Sequence, residues 1–257
     1  MNGRRIALSF AGAVSALLIG GTAFSAVSWL GRTTEAATID IDASSIRAVE
    51  VRTTAGGVRI TGDGAERITG ERRATFSLSR PAVTEEVVGE VLVLHATCRG
   101  VVLGPCDVDY RLTVPRTVAV RVVIGAGSID VRDVDGRVDA TTEAGGIRLV
   151  GVGGPARASS GAGTVTGAAL RSTDLEARTS AGSVNLTFAV GPETVVAASE
   201  AGSVTVVVPD DATAYRVDAT TDAGRERVEV RTDPTARRRI EATTSAGNVT
   251  VRYPTEP

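Results

Sequence analysis

Asp107 and Asp109 stand two residues apart, so on a strand both carboxylates face one side, close enough to share a cation or act as an acid and base pair. Exposed strand faces carry such pairs without any chemistry, which is the plainer reading. Asp133 and Asp135 before Gly136 match part of a calcium loop, but Val131 fills the first ligand position and Glu143 falls one residue late for the last. The Gly151 to Ala156 stretch fits a loose dinucleotide fingerprint. Pro155 and the Ser/Gly-rich strand behind it cannot supply a phosphate-facing helix, and a chain corner is expected instead. His95 is the only histidine and has no identifiable partner, so it reads as a surface or hydrogen-bonded side chain. Arg237 to Arg239, after Pro234, read as a solvated turn, with contact to an anionic polymer as the alternative. No catalytic, cofactor or metal site is expected from these residues.

Composition narrows the classes further. All 28 basic residues are arginine, which excludes a P-loop lysine and a lysine Schiff base. Thirty carboxylates against them leave a net charge of −2, too little positive charge for a dedicated nucleic-acid binder. Cys98 and Cys106 are the only cysteines. In an oxidising compartment the default is a disulfide closing a small loop. A redox or metal pair is the alternative, for which the spacing is wider than C-x-x-C and further ligands are lacking nearby.

The elements that must position these residues begin with an apolar run. Ile6 to Gly31 carries no charge and follows Arg4 and Arg5. As a helix it would reach about 39 Å, against roughly 30 Å for a bilayer core. The positive-inside rule then puts the N-terminus in the cytoplasm and everything after Gly31 outside the cell membrane. A cleavable signal peptide, with Ala23-Phe24-Ser25 as its site, is the rival reading and would make the protein secreted. Residues 1–35 are thus expected to be a transmembrane anchor or signal segment, and residues 36–257 an extracytoplasmic domain.

That domain is marked by a repeat. Ala-Gly recurs with its glycine at Gly56, Gly127, Gly145, Gly163, Gly182, Gly202, Gly224 and Gly247, the last seven at intervals of 18, 18, 19, 20, 22 and 23 residues. Five residues before each glycine stands Val or Ala, and three before it stands Thr, Ser or Ile. Two and four after it, six of the eight units carry Val, Ile or Leu; Gly167 and the Arg225-Glu226-Arg227 stretch break the pattern in the others. Period-two alternation that changes parity at the glycine predicts strand, corner, strand. Identical offsets in every unit predict parallel stacking of like on like, an all-β, single-stranded parallel β-solenoid of about 20 residues per coil. Its interior should be thin and lined with alanine, its Ser/Thr column should hydrogen-bond along its own length, and Arg121, Asp139, Arg157 and Glu176 should form an outer charge ladder. Residues 116–253 hold the regular coils. Residues 62–115 are expected to form longer, irregular coils carrying the Cys98 to Cys106 loop. An antiparallel sandwich is the alternative fold.

The stretch Cys-x7-Cys-Asp-Val-Asp-Tyr-x-Leu-x-Val-Pro from Cys98 to Pro115, followed by Thr-x-Ala-Gly-x-Val-x-Leu-like repeats behind one membrane segment, resembles the bacterial putative-adhesin family of β-strand-repeat proteins. The resemblance spans about residues 45 to 253. It implies a β-solenoid on the cell surface, adds support for the disulfide, and brings no catalytic residues. Three functions fit: a non-enzymatic, membrane-tethered module binding an envelope polymer or surface protein, a sensory partner of a membrane signalling system, and a carbohydrate-active enzyme by fold analogy. The first is the expected one, with the membrane as a partner through the N-terminal helix and no nucleic acid.

Overall fold

A computed structural model describes residues 32–98 and 104–254. The expected anchor or signal segment over residues 6–31 lies outside the described residues. Among the described residues no helix is long and apolar enough to cross a membrane.

The described chain is all strand and turn. Its first part holds β1 (Thr33–Asp42), β2 (Ala48–Ala55), β3 (Val58–Asp63), β4 (Arg67–Phe76), β5 (Ala82–Val88), β6 (Val91–Thr97) and β7 (Cys106–Pro115). Pairs of strands joined at Ala-Gly follow: β8 (Ala119–Ala126) with β9 (Ile129–Arg132), β10 (Val138–Ala144) with β11 (Ile147–Val150), and β12 (Ala156–Ala162) with β13 (Val165–Leu170). After these come β14 (Asp174–Ala181) with β15 (Val184–Phe188), and β16 (Thr194–Ala201) with β17 (Val204–Val207). The last pairs are β18 (Arg216–Ala223) with β19 (Glu226–Glu229), and β20 (Arg239–Ala246) with β21 (Val249–Arg252). Each pair places its first strand in a ten-stranded sheet, order β18-β20-β16-β14-β12-β10-β8-β2-β6-β5, and its second in an eleven-stranded sheet, order β1-β4-β7-β3-β9-β11-β13-β15-β17-β21-β19. Both sheets are parallel through the repeats.

Register follows the sequence offsets: Ala140 lies beside Ala158, Ala158 beside Ala177, Ala177 beside Ala197 and Ala197 beside Ala242. These alanines are fully enclosed, and the larger Leu149, Leu186, Val206 and Val251 of the other sheet fill the space between the layers. Small against large keeps a narrow two-sheet core close-packed.

The corner explains why the unit is Ala-Gly. Gly182 has φ of +145°, and a Cβ on it would fall on the carbonyl oxygen of Gly163 in the adjoining coil, so only glycine both takes the turn and permits the stacking. The Ser/Thr column does not bond along itself as expected. Its hydroxyls donate instead to corner carbonyls: Ser160 Oγ to Gly145 O at 2.9 Å, Thr179 Oγ1 to Gly163 O at 2.8 Å, Ser199 Oγ to Gly182 O at 2.8 Å. The glycine N–H groups donate to the next coil's Ala carbonyl, as from Gly145 to Ala162 at 2.7 Å. A turned peptide presents donor and acceptor to its neighbours, and the group that reaches the acceptor is the hydroxyl of the adjoining coil, three residues before that coil's own glycine.

Two expectations need correction. Coils do not stack in sequence order at either end: β2 and β3 lie between β6/β7 and β8/β9, while β20 and β21 slip between β16/β17 and β18/β19. Like on like overrides chain order, since β2 carries the Ala-Gly mark that fits β8, and β20 and β21 carry the inward apolar residues Ile240, Ala242, Val249 and Val251, with no inward charge. The coil holding Glu226 is left outermost, where its carboxylate stays in water. Residues 62–115 are not irregular coils throughout. Strand β4 runs antiparallel to β1 and β7, and β5 turns antiparallel onto β6 through Gly89 and Glu90, Gly89 having φ of +61°.

Candidate functional site

Alternation sends every second side chain outward, so each sheet presents rows of side chains in register, one per coil. On the ten-stranded sheet Ser159, Arg178, Ala198 and Thr243 form one such row. Together with Ser180 and Ser245 they line a shallow polar depression. The neighbouring row holds Arg121, Asp139, Arg157 and Glu176. Only part of that expected ladder closes between coils, Arg157 with Glu176 at 2.6 Å. Glu176 also takes Arg178 at 2.7 Å, and Asp139 turns along its own strand to Arg137 at 3.1 Å. The Arg178 hydrogen bond chiefly holds Glu176 below the usual carboxylate range, against a smaller opposing effect of burial.

On the eleven-stranded sheet Asp107 and Asp109 do share the outward face of β7, but they do different things. Asp109 accepts the Gly57 N–H at 2.7 Å and pins the corner of the adjoining coil. Burial first, then the neighbouring Asp109 charge, raises the carboxyl of Asp107. In the next coil but one Asp130 sits between Arg132 at 2.8 Å and Arg59 at 3.2 Å, and these hold its carboxyl low although burial pushes it upward.

Asp133 and Asp135 do not converge. Asp133 turns the chain with φ of +53°, and Asp135 binds Arg171 at 2.8 Å. Gly151 to Pro155 connect β11 to β12 at a corner, with a strand where a phosphate site would need a helix. His95 is exposed on β6. Of the arginine run, Arg239 lies 3.4 Å from Asp218 and 2.8 Å from Glu241 and Arg238 lies 3.7 Å from Asp211, while Arg237 is exposed. Cys98 and Cys106 are joined in a disulfide, Cα to Cα 6.1 Å.

Sequence reasoning missed what closes one end of the stack. Arg72 of β4 and Glu85 of β5 occupy inward positions and meet at 2.8 Å across the gap between the sheets, with the Tyr110 ring beneath. Burial, then the Glu85 carboxylate, raises the Tyr110 hydroxyl. An alternation count over β4 and β5 places both charges inward, which is the signal that could have found them.

The fold and its faces define an all-β protein of two mostly parallel sheets with polar outer surfaces. Among solved structures it is similar to a putative cell adhesion protein from Clostridium sporogenes (10% identity, 86% of this chain and 100% of the other, TM-score 0.45). It is also similar to putative adhesins from Bacteroides fragilis (13%, 86% and 97%, TM-score 0.35) and Parabacteroides merdae (10%, 86% and 95%, TM-score 0.24). These are bacterial proteins of the description that the sequence resembles; at such identities and scores the likeness carries no argument. No family model matches the chain, and no curated protein matches it.

Proposed function

We propose that the stack is a β-solenoid held at a bacterial cell surface by its N-terminal apolar run, and that it is a non-enzymatic module binding an extended envelope polymer or a surface protein. The row Ser159, Arg178, Ala198 and Thr243 carries the reading. It sets the hydrogen-bonding side chains of Ser159, Arg178 and Thr243 on strands about 4.8 Å apart, with Ala198 as a gap between the last two, an array suited to an extended chain rather than to a small enclosed substrate. Arg178 and Glu200 supply charges of both signs to the shallow depression around the row, and hydroxyl groups line most of the rest. The apolar run from Ile6 to Gly31 supports the tether.

The test is a panel of bacterial envelope polysaccharides offered to the full-length chain. One class should bind, and Arg178→Glu should weaken it about tenfold or more by setting a carboxylate in the row. Equal binding by Arg178→Glu and the parent, or no binding by any polymer, would refute the face assignment. Turnover of a polysaccharide that Asp107→Asn abolishes would refute the non-enzymatic reading.

A further inference from the structure

On β7 two opposite charges share the outward face two residues apart, Asp109 and Arg111, and they do not close on one another. Such neighbours close on several other strands: Glu71 with Arg73 at 3.1 Å, Asp130 with Arg132 at 2.8 Å, Glu176 with Arg178 at 2.7 Å and Glu241 with Arg239 at 2.8 Å. Arg111 is exposed and forms no ion pair among the described residues; Glu71, beside it on β4, is taken by Arg73. Asp109 accepts the Gly57 N–H through Oδ1 at 2.7 Å and likewise forms no ion pair among the described residues.

Between these two charges the face is hollow. Residue 57 follows a corner glycine, a row that carries Ser128, Thr164, Ser183, Ser203 and Asn248 in other coils. Gly57 has no left-handed φ, and the nearest side-chain atoms to a Cβ there are Asp109 Oδ1 at 3.3 Å and Ser128 Oγ at 3.6 Å. Ser203 shows that the row accepts a side chain while its own N–H bonds the neighbouring one, Ser183 Oγ, at 3.3 Å. Neither the backbone nor the packing requires glycine at 57. The missing side chain leaves a depression of about 200 Å³, floored by Gly57 and walled by Asp109, Arg111, Arg59, Ser128 and Asp130.

We infer that this hollow binds a compact zwitterion, a phosphate ester with a primary ammonium two carbons away, as in a phosphoethanolamine group. A lone anion would be repelled by Asp109 and a lone cation by Arg111, so a ligand bearing both signs answers the two charges held apart. Arg59 selects the anion. It lies in register beside Arg111 on β3, and it gives Nε to Asp130 at 3.2 Å, which leaves its terminal N–H groups for the same anion. Two guanidiniums side by side repel, a cost that a shared anion removes, and a phosphate has more oxygens than a carboxylate to accept from both forks. The rows of Asp109 and Arg111 stand about 6.7 Å apart along the strand, a span that suits this ligand better than an α-amino acid, whose two charged groups share one carbon. The ammonium sits low over Gly57 against Asp109, with Ser128 Oγ as a second acceptor, and the phosphate sits at the rim. β7 is two strands from β1, about 10 Å at strand spacing. Given the tether proposed above, on which this step alone rests, a lipid headgroup and a soluble or polymer-borne phosphoethanolamine both come within reach.

The test is a titration of the full-length chain in a maltoside detergent with glycerophosphoethanolamine, read from the amide shifts of Gly57 and Ser128. The probe should bind saturably, and glycerophosphoglycerol or ethanolamine alone should bind about tenfold more weakly or worse. Arg111→Gln, which breaks no ion pair, and Asp109→Asn, which keeps an oxygen for the Gly57 N–H, should each weaken binding about tenfold. Gly57→Ser should do the same by filling the hollow, with the melt unchanged. Arg148→Gln removes a charge from the same face two strands beyond β3 and should leave binding as it was. An absence of saturation, equal binding of glycerophosphoglycerol or of alanine, or undiminished binding by Gly57→Ser would each overturn the site. In phosphatidylglycerol vesicles the reconstituted chain should bind the probe as in detergent. Weaker binding in phosphatidylethanolamine-rich vesicles assigns the site to a lipid headgroup, and equal binding assigns it to a soluble or polymer-borne group. The Arg178 row lies on the other sheet, so failure of either reading leaves the other standing.

Discussion

At the β4 and β5 end, the inward positions next to water hold Arg72 and Glu85, joined at 2.8 Å over Tyr110. At the β18 and β19 end, the matching columns hold Glu226 and Ala219. One end has a cation and an anion spanning the gap; the other has a lone anion, Glu226, held by the Thr221 N–H with no cation across from it. Edge strands are protected by inward charges and by irregular pairing, and the first end uses both, ending in antiparallel strands with an ion pair across the layers. The second ends on parallel strands, with a single carboxylate over one N–H and residues 231–233 bridging Tyr215 beside the start of β18. The difference teaches that a repeat protein's ends are chosen separately from its repeat.

Removing the lid on one side should break this contrast most. Arg72→Leu leaves the Glu85 carboxylate, about a quarter exposed, without its partner and should cost about 2 kcal/mol, less than a fully buried pair because water still reaches it. Arg72→Leu with Glu85→Leu should recover most of that loss in a denaturant melt. It should also leave the closed end apolar, so light scattering should rise with concentration.

Reducing the Cys98 to Cys106 bond should loosen the closed end by about 2 to 3 kcal/mol, from the entropy returned to the unfolded chain, and a melt with and without reductant reads it. Next in size is the corner bond. Ser160→Ala, inside the stack, leaves the Gly145 carbonyl short of a donor and should cost about 1 kcal/mol. Thr221→Ala removes the same bond, to Gly247 O, in the outermost coil, and water should replace it at under about 0.5 kcal/mol. Equal costs would mean the open end is as dry as the interior.

The repeat was legible because its physics is local. Parity before and after Gly145, and the alanine at position 140, follow from alternation and from the space a narrow core leaves. The Oγ to glycine carbonyl bond was half legible: the Ser/Thr column was visible, but its acceptor lies in another coil, and offsets within one unit say nothing of it. Stack order was not legible, because it depends on a competition between coils. Burying Ile240 and Val251 on both sides, rather than Glu226, decides it, and that comparison requires all the coils at once. The lid escaped because residues 62–115 lack the Ala-Gly mark and Arg72 and Glu85 belong to separate strands.

The smallest effects come from two carboxylates on the eleven-stranded sheet, Asp107 in β7 just inside the closed end and Asp130 in β9 further along. Burial opposes both charges, but Asp130 has Arg132 and Arg59, and its carboxyl sits low. A lowered native value means the ionised form stabilises the fold at neutral pH, and this contribution is lost as pH falls through the native value. Asp107, raised by burial and by Asp109, runs the other way: its ionised form is a cost at neutral pH that protonation relieves as pH falls. Asp130→Asn should therefore lower the melting temperature at pH 7 by about 2 to 4 °C and converge with the parent as pH falls through the native value. Asp107→Asn should raise it at pH 7 by a similar or smaller amount and likewise converge in acid. A fall in both variants at pH 7 would mean that Arg32, whose charge partly offsets the rise at Asp107, binds it strongly enough to extend the closed end's ion-pairing one strand into the stack.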